Sequence, residues 1–379
     1  MNILLLTHRL PYAPNRGDRL RAYHLMRFLG RYATIRLVSL VHDADEAAHA
    51  HDMRDLAEKT ECAMVPRLRN AARGAAHLLT DAPLTHSLLD SPHVESAVQA
   101  VLRGWQPDVV IAYCSGMAKF ALRAPLAGVP CLLDMVDVDS EKWRALGQAG
   151  RWPMRFVYRR EAGCLSRFEA RAAAHAFATT VVNEREAQAL RALAPQARVE
   201  VMPNGIDVRH FRPERAPEES RSVVFCGVMN YEPNADAAEW LVRDVWPLVR
   251  ARERDARLSL VGAHPSRRVR ALASAAADVE VTGAVPDVRP YLWRSAVSVA
   301  PLATARGIQN KVLEAIAGGL PVVVTPNVAS GLPREVMPAC ATASDAATFA
   351  DSIVAHLALS PEERRACAAE ADLEPLTWE

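Results

Sequence analysis

RGIQNKVLEAIAGGLPVVVT, residues 306–325, sets a helix-periodic run, a double-glycine stop and a β-branched run in immediate succession. Ile308, Val312, Ala315 and Ile316 recur at helical spacing and predict one buried stripe, while Lys311 and Glu314 stand three apart on another face. Gly318 and Gly319 are residues expected at a helix C-terminus. The next residues, 320–325, read as a strand buried on both faces, the kind found in parallel sheets. A helix packed beside such a strand presents backbone N–H groups at its start that suit an anion, and Lys311 adds a full charge. Glu314, one turn further, is placed to accept hydrogen bonds from a ribose diol. The segment is therefore suited to a nucleotide diphosphate.

Working outward, short runs rich in Val, Ile and Leu alternate with longer Ala- and Arg-rich amphipathic stretches. The runs fall at 3–6, 35–41, 108–113, 131–134 and 179–182, then at 223–227, 258–262, 279–283 and 297–301. This alternation predicts right-handed βαβ units and parallel sheets covered on both faces. Ligands then belong at the carboxyl ends of strands, beside the points where strand order reverses. The pattern restarts after the Pro- and Glu-rich residues 212–220, and the strand at 199–202 is expected to belong already to the second half. That places the hinge near residues 190–198. No short-period repeat occurs, which argues against a solenoid.

Composition narrows the class. The 379 residues, 50% hydrophobic, suffice for two domains with sizeable cores. Basic and acidic residues nearly cancel, 45 against 44, so no global field points to nucleic acid. Seven cysteines without a CxxC pair read as buried reduced thiols of a cytoplasmic protein. Residues 1–6 lack a basic start before their apolar run, which breaks at Thr7-His8-Arg9; they read as a first strand, not a signal peptide. No stretch approaches the roughly 20 apolar residues of a membrane span, so any membrane association is expected to be peripheral, at the cytoplasmic face.

The opening segment also resembles the donor-binding motif of family 4 glycosyltransferases, retaining enzymes of the two-domain GT-B fold. That motif is a glutamate, seven intervening residues, and a second glutamate followed by Ala, a small residue, Gly and Pro. Glu314 matches the second glutamate. The first falls on Arg306, so the sugar-contacting role of that glutamate does not carry over to it. The Arg-Gly-Ile-Gln-Asn-Lys version resembles a subgroup of sugar transferases associated with exopolysaccharide and exosortase (PEP-CTERM) systems. Three further places carry the resemblance. RVEVMPNGIDVRHFRP at 198–213 is similar to a strand, Pro-Asn-Gly-(Val/Ile)-Asp and Phe-x-Pro signature, with Gly205 able to take positive φ in its turn. SVVFCG at 222–227 is a strand ending in glycine, and VEVTGAV at 279–285, before Pro286-Asp287-Val288, resembles the family's base-side loop.

The resemblance implies an α/β GT-B architecture, two Rossmann-like domains with parallel sheets facing an interdomain cleft: 1–190 on the acceptor side, 191–379 on the nucleotide-sugar donor side. It implies donor contacts at Gly17, Gly227, Asn230, Thr282, Gly283, Arg306, Gly307, Ile308, Gln309, Asn310, Lys311 and Glu314. In many family members an arginine and a lysine follow the first strand of the second domain. Here residues 227–231 run on to Asn234 without either, leaving Lys311, with Arg306, to supply that charge. Relatives commonly continue past the equivalent of Trp378 into a helix that returns to the first domain.

Other clusters have competing readings. Gly17, with Arg16, Arg19 and Arg21 around it, matches the family's glycine loop near the donor phosphates; read locally it is a helix start with Asp18 as cap and Leu20, Tyr23, His24 and Phe28 partly buried. Asp134, Asp137 and Asp139 follow an apolar strand, and Asp137 or Asp139 is a candidate catalytic or acceptor-orienting carboxylate; the plainer alternative is a helix cap. Residues 42–52, with three histidines and several carboxylates, read as a solvated face rather than a metal site, and no metal is expected. Residues 152–171 are Arg-rich with Phe156, Val157, Leu165 and Phe168 apolar, suited to an anionic membrane surface or to an ordinary helix whose Arg160, Glu161, Arg167 and Glu169 pair in solvent.

The expected function is transfer of a sugar from a nucleotide diphosphate donor, with no other cofactor, to a saccharide or polyprenyl-linked acceptor, with retention. Lys311 and Glu314, with Asp137 and Asp139, are its expected working side chains. Competing readings are a nucleotide-sugar epimerase of the same fold and a non-catalytic sugar-nucleotide-binding protein. An NAD or ATP enzyme is disfavoured, because neither Gly-x-Gly-x-x-Gly nor Gly-Lys-Ser/Thr occurs.

Overall fold

The structure, a computed structural model, describes residues 1–12, 17–78, 80–214, 221–275, 277–305 and 307–378. It forms two compact units, Met1–Met202 and Pro203–Trp378. The first is built on seven parallel strands: β1 (Asn2–Thr7), β2 (Thr34–Val41), β3 (Lys59–Met64), β4 (Val109–Tyr113), β5 (Cys131–Val136), β6 (Ala178–Val181) and β7 (Val199–Val201). Their order across the sheet is β3-β2-β1-β4-β5-β6-β7. Period-two alternation sends Leu4 and Leu6 of β1 into one core, with Val38, Val110 and Leu133. Ile3 and Leu5 enter the core on the opposite face, with Leu37 and Ile111. Both faces of β1 are thus covered by helices, which is why it reads as an unbroken apolar run.

The strand at Val199–Val201, expected in the second half, is instead the edge of this first sheet. It pairs with β6 in the register Thr179↔Val199 to Val181↔Val201. The chain leaves only after Met202, whose N–H bonds the Val181 carbonyl (2.8 Å) and whose own carbonyl accepts from Arg21 (2.8 Å). That buried guanidinium also grips Asp134, Nε to Oδ2 at 2.8 Å and an amino nitrogen to Oδ1 at 3.1 Å. Arg21 and Asp134 therefore tie the first helix to β5 and to the exit of the sheet.

Two solvated faces expected from sequence are partly interior. In the helix Met154–His175, Glu161 and Glu169 are fully buried. Glu161 accepts from the N–H groups of Leu84 and Thr85, both at 2.8 Å, and so caps a short helix. In the 42–52 segment, His42 and Glu46 are buried; Glu46 takes the N–H groups of Leu10 (3.2 Å) and His42 (2.9 Å) and pairs with Arg19 (3.2 Å). Each carboxylate satisfies helix- or loop-end donors that water cannot reach.

The second unit carries six parallel strands: β8 (Ser222–Cys226), β9 (Arg257–Val261), β10 (Val279–Gly283), β11 (Val297–Ala300), β12 (Val322–Val324) and β13 (Cys340–Thr342), in the order β10-β9-β8-β11-β12-β13. The opening segment folds as read: helix Asn310–Ala317, then β12. Val312, Ala315 and Ile316 are buried as a stripe, and Gly319 takes the left-handed conformation (φ +78°) that ends the helix. Gly205 does not take positive φ; its role is space, since a Cβ there would lie 2.6 Å from the Trp378 ring.

Candidate functional site

In the second sheet, β9 and β10 lie on one side of β8 while β11, β12 and β13 lie on the other, so the loops leaving β8 and β11 diverge. A crevice at the carboxyl ends of two such strands is where α/β sheets place ligands. The helix Asn310–Ala317 follows β11 and carries Lys311 into that position. The Lys311 ammonium donates to Asn234 Oδ1 at 2.8 Å and sits 4.7 Å from the centre of the Phe225 ring. Asn234, in the helix that follows β8, is itself fixed by a bond from Nδ2 to the Val228 carbonyl (3.0 Å).

Gly227 completes the arrangement by having no side chain. A Cβ there would stand 2.8 Å from Asn234 Nδ2 and 3.1 Å from Lys311 Nζ. A similar approach joins the ends of β8 and β9, where a Cβ on Gly262 would overlap the Gly227 carbonyl at 1.7 Å. The loop after β11 is pinned by Thr325 Oγ1 to the Leu302 carbonyl (2.6 Å) and by Asn327 Nδ2 to the Ala303 carbonyl (2.7 Å). The Pro203-Asn204-Gly205 turn docks on the helix start through Asn204 Nδ2 to Asn310 Oδ1 (3.0 Å). Three separated motifs of the sequence thus meet around one helix amino end.

Burial sets the electrostatics. Lys311 as a whole is half-buried, yet its ammonium is enclosed by Phe225, Asn234 and Gly227, and desolvation pulls it from 10.5 down to about 8 against the opposing pull of Cys226 and Glu314. Desolvation likewise pushes the Glu314 carboxyl up to about 7, with Lys311 opposing. The Cys226 thiol rises to about 12 by burial, which makes it an inert packing group. A weakly solvated cation beside helix N–H groups gains most from an incoming diphosphate, because the anion restores what burial removed.

The other sequence candidates are distributed as follows. Gly307, with φ +66°, and Ile308 are buried ahead of the helix, and Gln309 occupies its N-cap. Arg306 lies outside the described residues. Asn230 is exposed on the turn after β8, where the Tyr231 N–H bonds the Val228 carbonyl (3.2 Å). Asn234, passed over in the sequence, is the residue that meets Lys311; an amide within a run lacking the expected cations was the available signal. Thr282 and Gly283 end β10, two strands from β8 and so about 10 Å across the sheet. Thr282 Oγ1 accepts from the Gly262 N–H (3.3 Å) and donates to the Gly283 carbonyl (2.9 Å), while Gly283 (φ +72°) has open space where a Cβ would be.

In the first unit, Gly17 opens the helix Gly17–Leu29, ahead of Asp18, the expected cap. Arg21, expected around the glycine loop, is buried against Asp134. That pair removes Asp134 from any role toward a substrate. Asp139 starts the helix Asp139–Ala149 and accepts from Ser115 Oγ at 3.0 Å; burial raises its carboxyl above the usual range. The same helix start is held by Glu169, bonded by the Ser140 N–H (3.1 Å), and Glu186, bonded by the Val138 N–H (2.8 Å). Desolvation lifts Glu169 to about 7. Asp137 follows Val136, a β-branched residue held at φ +67°, an arrangement that costs on the order of 1–3 kcal/mol. Cys114, at the end of neighbouring β4, has φ +70° as well, so distorted backbone concentrates at the carboxyl ends of β4 and β5.

Comparison with known proteins bears on both halves. A family model described as "Glycosyl transferase 4-like domain" matches residues 36–205, and one described as "Glycosyl transferases group 1" matches residues 220–358. No curated protein matches the chain. The chain is similar in structure to sucrose-phosphate synthase from Thermosynechococcus elongatus, with TM-score 0.69, 18% identity, and coverage of 98% of this chain and 92% of that one. It is also similar to HepE of Anabaena, solved with UDP and glucose: TM-score 0.66, 13% identity, 98% and 93% covered. A third likeness is to WaaG, described as a glycosyltransferase involved in lipopolysaccharide biosynthesis: TM-score 0.63, 16% identity, 99% and 97% covered. At these identities the likeness is one of fold, that of two Rossmann-like domains of the GT-B class.

Proposed function

Because the chain belongs to the glycosyltransferases of the GT-B fold, we propose that it moves a sugar from a nucleotide diphosphate donor to a saccharide or polyprenyl-linked acceptor, with retention of anomeric configuration. The observation that carries the reading is the Lys311 ammonium held by Asn234 over Gly227, at the amino end of the helix that follows β11. It stands at the crevice beside β8, where strand order reverses. In this reading the helix N–H groups and Lys311 stabilise the departing diphosphate, and a donor phosphate oxygen takes the acceptor proton, so no protein nucleophile is needed. Glu314 accepts from the ribose hydroxyls, and the 282–283 backbone faces the base. Asp139, with Asp137 beside it, orients the acceptor.

The HepE complex with UDP and glucose favours a uridine nucleotide as the first donor to try. Charge neutralisation by Lys311 and the helix leads us to expect transfer without a divalent cation, and the setting we infer is exopolysaccharide assembly at the cytoplasmic face of a membrane. The decisive experiment titrates UDP-glucose and related donors into the protein, then follows transfer in the presence of a chelator with the anomeric configuration of the product read by NMR. Binding that Lys311→Ala leaves unchanged would remove the assignment. Binding without transfer to any acceptor would favour the non-catalytic reading, and donor isomerised without acceptor would favour an epimerase.

A further inference from the structure

The helices Asp139–Ala149 and Met154–His175 form a hairpin whose tip, residues 142–160, contains six cations and no carboxylate. Glu141 and Glu161 bound that stretch and pair with two of its cations, Arg144 and Arg160, while Glu161 also caps the helix at Leu84. Arg151, Arg155 and Arg159 are exposed. Among them stand apolar side chains that the fold leaves in water: Trp152 at 86% exposure and Phe156 at 69%, with Met154 also exposed. The hairpin is rigidly built. Gly147 lets the helices close, since a Cβ there would lie 2.9 Å from Arg159 Cγ, and the Trp143 and Tyr158 rings meet at 5.6 Å.

Two aromatic rings at the end of a firmly packed hairpin cost solubility without contributing to the core. The carboxyl end of one helix and the amino end of the other share this tip, so their dipoles largely offset, and the positive field comes from side chains. Exposed Trp and Phe flanked by arginine match the boundary between acyl chains and anionic headgroups: the rings enter the apolar edge, and the guanidinium groups meet phosphate. No helix among the described residues is long and apolar enough to cross a membrane, so the tip would dock and not span. We propose that the 142–160 tip is a membrane-docking surface whose partner is a bilayer containing anionic phospholipid. This rests on the proposed transferase function only in giving a lipid-linked acceptor a place to be met; the surface itself is independent of the donor site.

The test uses the full chain in co-sedimentation with vesicles of phosphatidylcholine, with and without phosphatidylglycerol. Binding is expected only to the anionic vesicles, and to fall with salt. Trp152→Ser together with Phe156→Ser should weaken it by at least about tenfold, given the apolar area the two rings would bury. Arg151→Gln and Arg155→Gln should each weaken it about fivefold. UDP-glucose titration of the same variants should match the parent, showing that the fold and the donor site are intact. Absence of vesicle binding, equal binding to neutral vesicles, or variants that bind like the parent would each overturn the proposal. So would capture by heparin without capture by vesicles, which would make the tip a surface for acidic polymers. Loss of UDP-glucose binding in Lys311→Ala with vesicle binding retained keeps the two readings separable.

Discussion

Raising the pH through 8 should remove the Lys311 proton and, with it, much of the affinity for a nucleotide diphosphate. Burial lowers this ammonium from 10.5 to about 8, which corresponds to a cost of roughly 3 kcal/mol for keeping it charged in the fold. The unfolded chain therefore holds more protons than the folded one between about pH 8 and 10.5, so this group's destabilisation is fully present below 8 and lifts as pH climbs to 10.5. A bound diphosphate reverses the balance by favouring the charged form. Affinity for UDP-glucose should then fall by up to about tenfold per pH unit above 8. A charged hydrogen bond is worth about 1.5–3 kcal/mol, so the total loss should level off between about tenfold and a hundredfold. Calorimetric titration near pH 9 in buffers of different ionisation enthalpy should show uptake of roughly 0.4 to 0.8 proton per donor bound. UDP-glucose has no terminal phosphate monoester to titrate there. Lys311→Met should abolish the uptake, lose the same affinity, and be more stable than the parent at pH 7, by up to roughly 3 kcal/mol less about 1 for the forfeited Asn234 contact. Affinity that is flat to pH 10, or a pH dependence that survives in Lys311→Met, would refute the reasoning.

Other perturbations test neighbouring pieces. Gly227→Ala sets a methyl group 2.8 Å from Asn234 Nδ2 and 3.1 Å from Lys311 Nζ; thermal melts should show a loss of about 1–3 kcal/mol, and donor titration a matching loss of affinity. Glu169 has a raised pKa of about 7, so its contribution to stability is lost as pH rises from about 4.5 through 7; Glu169→Gln should flatten the melting temperature over that window. Arg21→Met, which leaves Asp134 buried without its cation, should cost about 3–5 kcal/mol in urea unfolding, while Arg21→Met with Asp134→Leu should recover much of it. Asp139→Asn should lower turnover more than donor affinity, measured by comparing transfer with UDP-glucose titration.

What the sequence disclosed followed from burial. Strands covered on both faces, such as Ile3–Leu6 within β1 or Val322–Val324, are continuous apolar runs and were visible for that reason. The edge strands β3 (KTECAM) and β13 (CAT) were not, because one side of an edge faces solvent and its residues need not be apolar. The assignment of 199–201 failed on pairing: three residues cannot announce which sheet they join, and the choice is made by contacts with β6 some twenty positions earlier. Buried carboxylates were missed for a related reason. Glu46, Glu161, Glu169 and Glu186 lie on polar-looking helices, and nothing local marks a glutamate whose partner N–H groups come from another element. Of the candidate site, Lys311 and Gly227 were legible as helix start and strand end. Asn234 was not, because its importance lies in a contact across 77 positions.

Asn234 also shows how the site can work without the cations that the resemblance led us to expect after β8. A neutral amide there does two things that a lysine or arginine cannot. Its oxygen accepts from Lys311, and its Nδ2 binds the Val228 carbonyl, so the loop after β8 and the helix after β11 are held by one side chain. A second cation in that place would repel Lys311 and push its proton off near neutral pH, since burial already lowers it to about 8. Asn234→Lys should therefore fail to add phosphate affinity at pH 8, despite increasing the formal positive charge. Asn234→Asp should raise the Lys311 pKa and move the alkaline limit of donor binding upward, while weakening affinity below pH 7 through repulsion of the diphosphate. Opposite shifts in the two limbs of one pH profile distinguish an amide that positions the lysine from one that merely packs beside it.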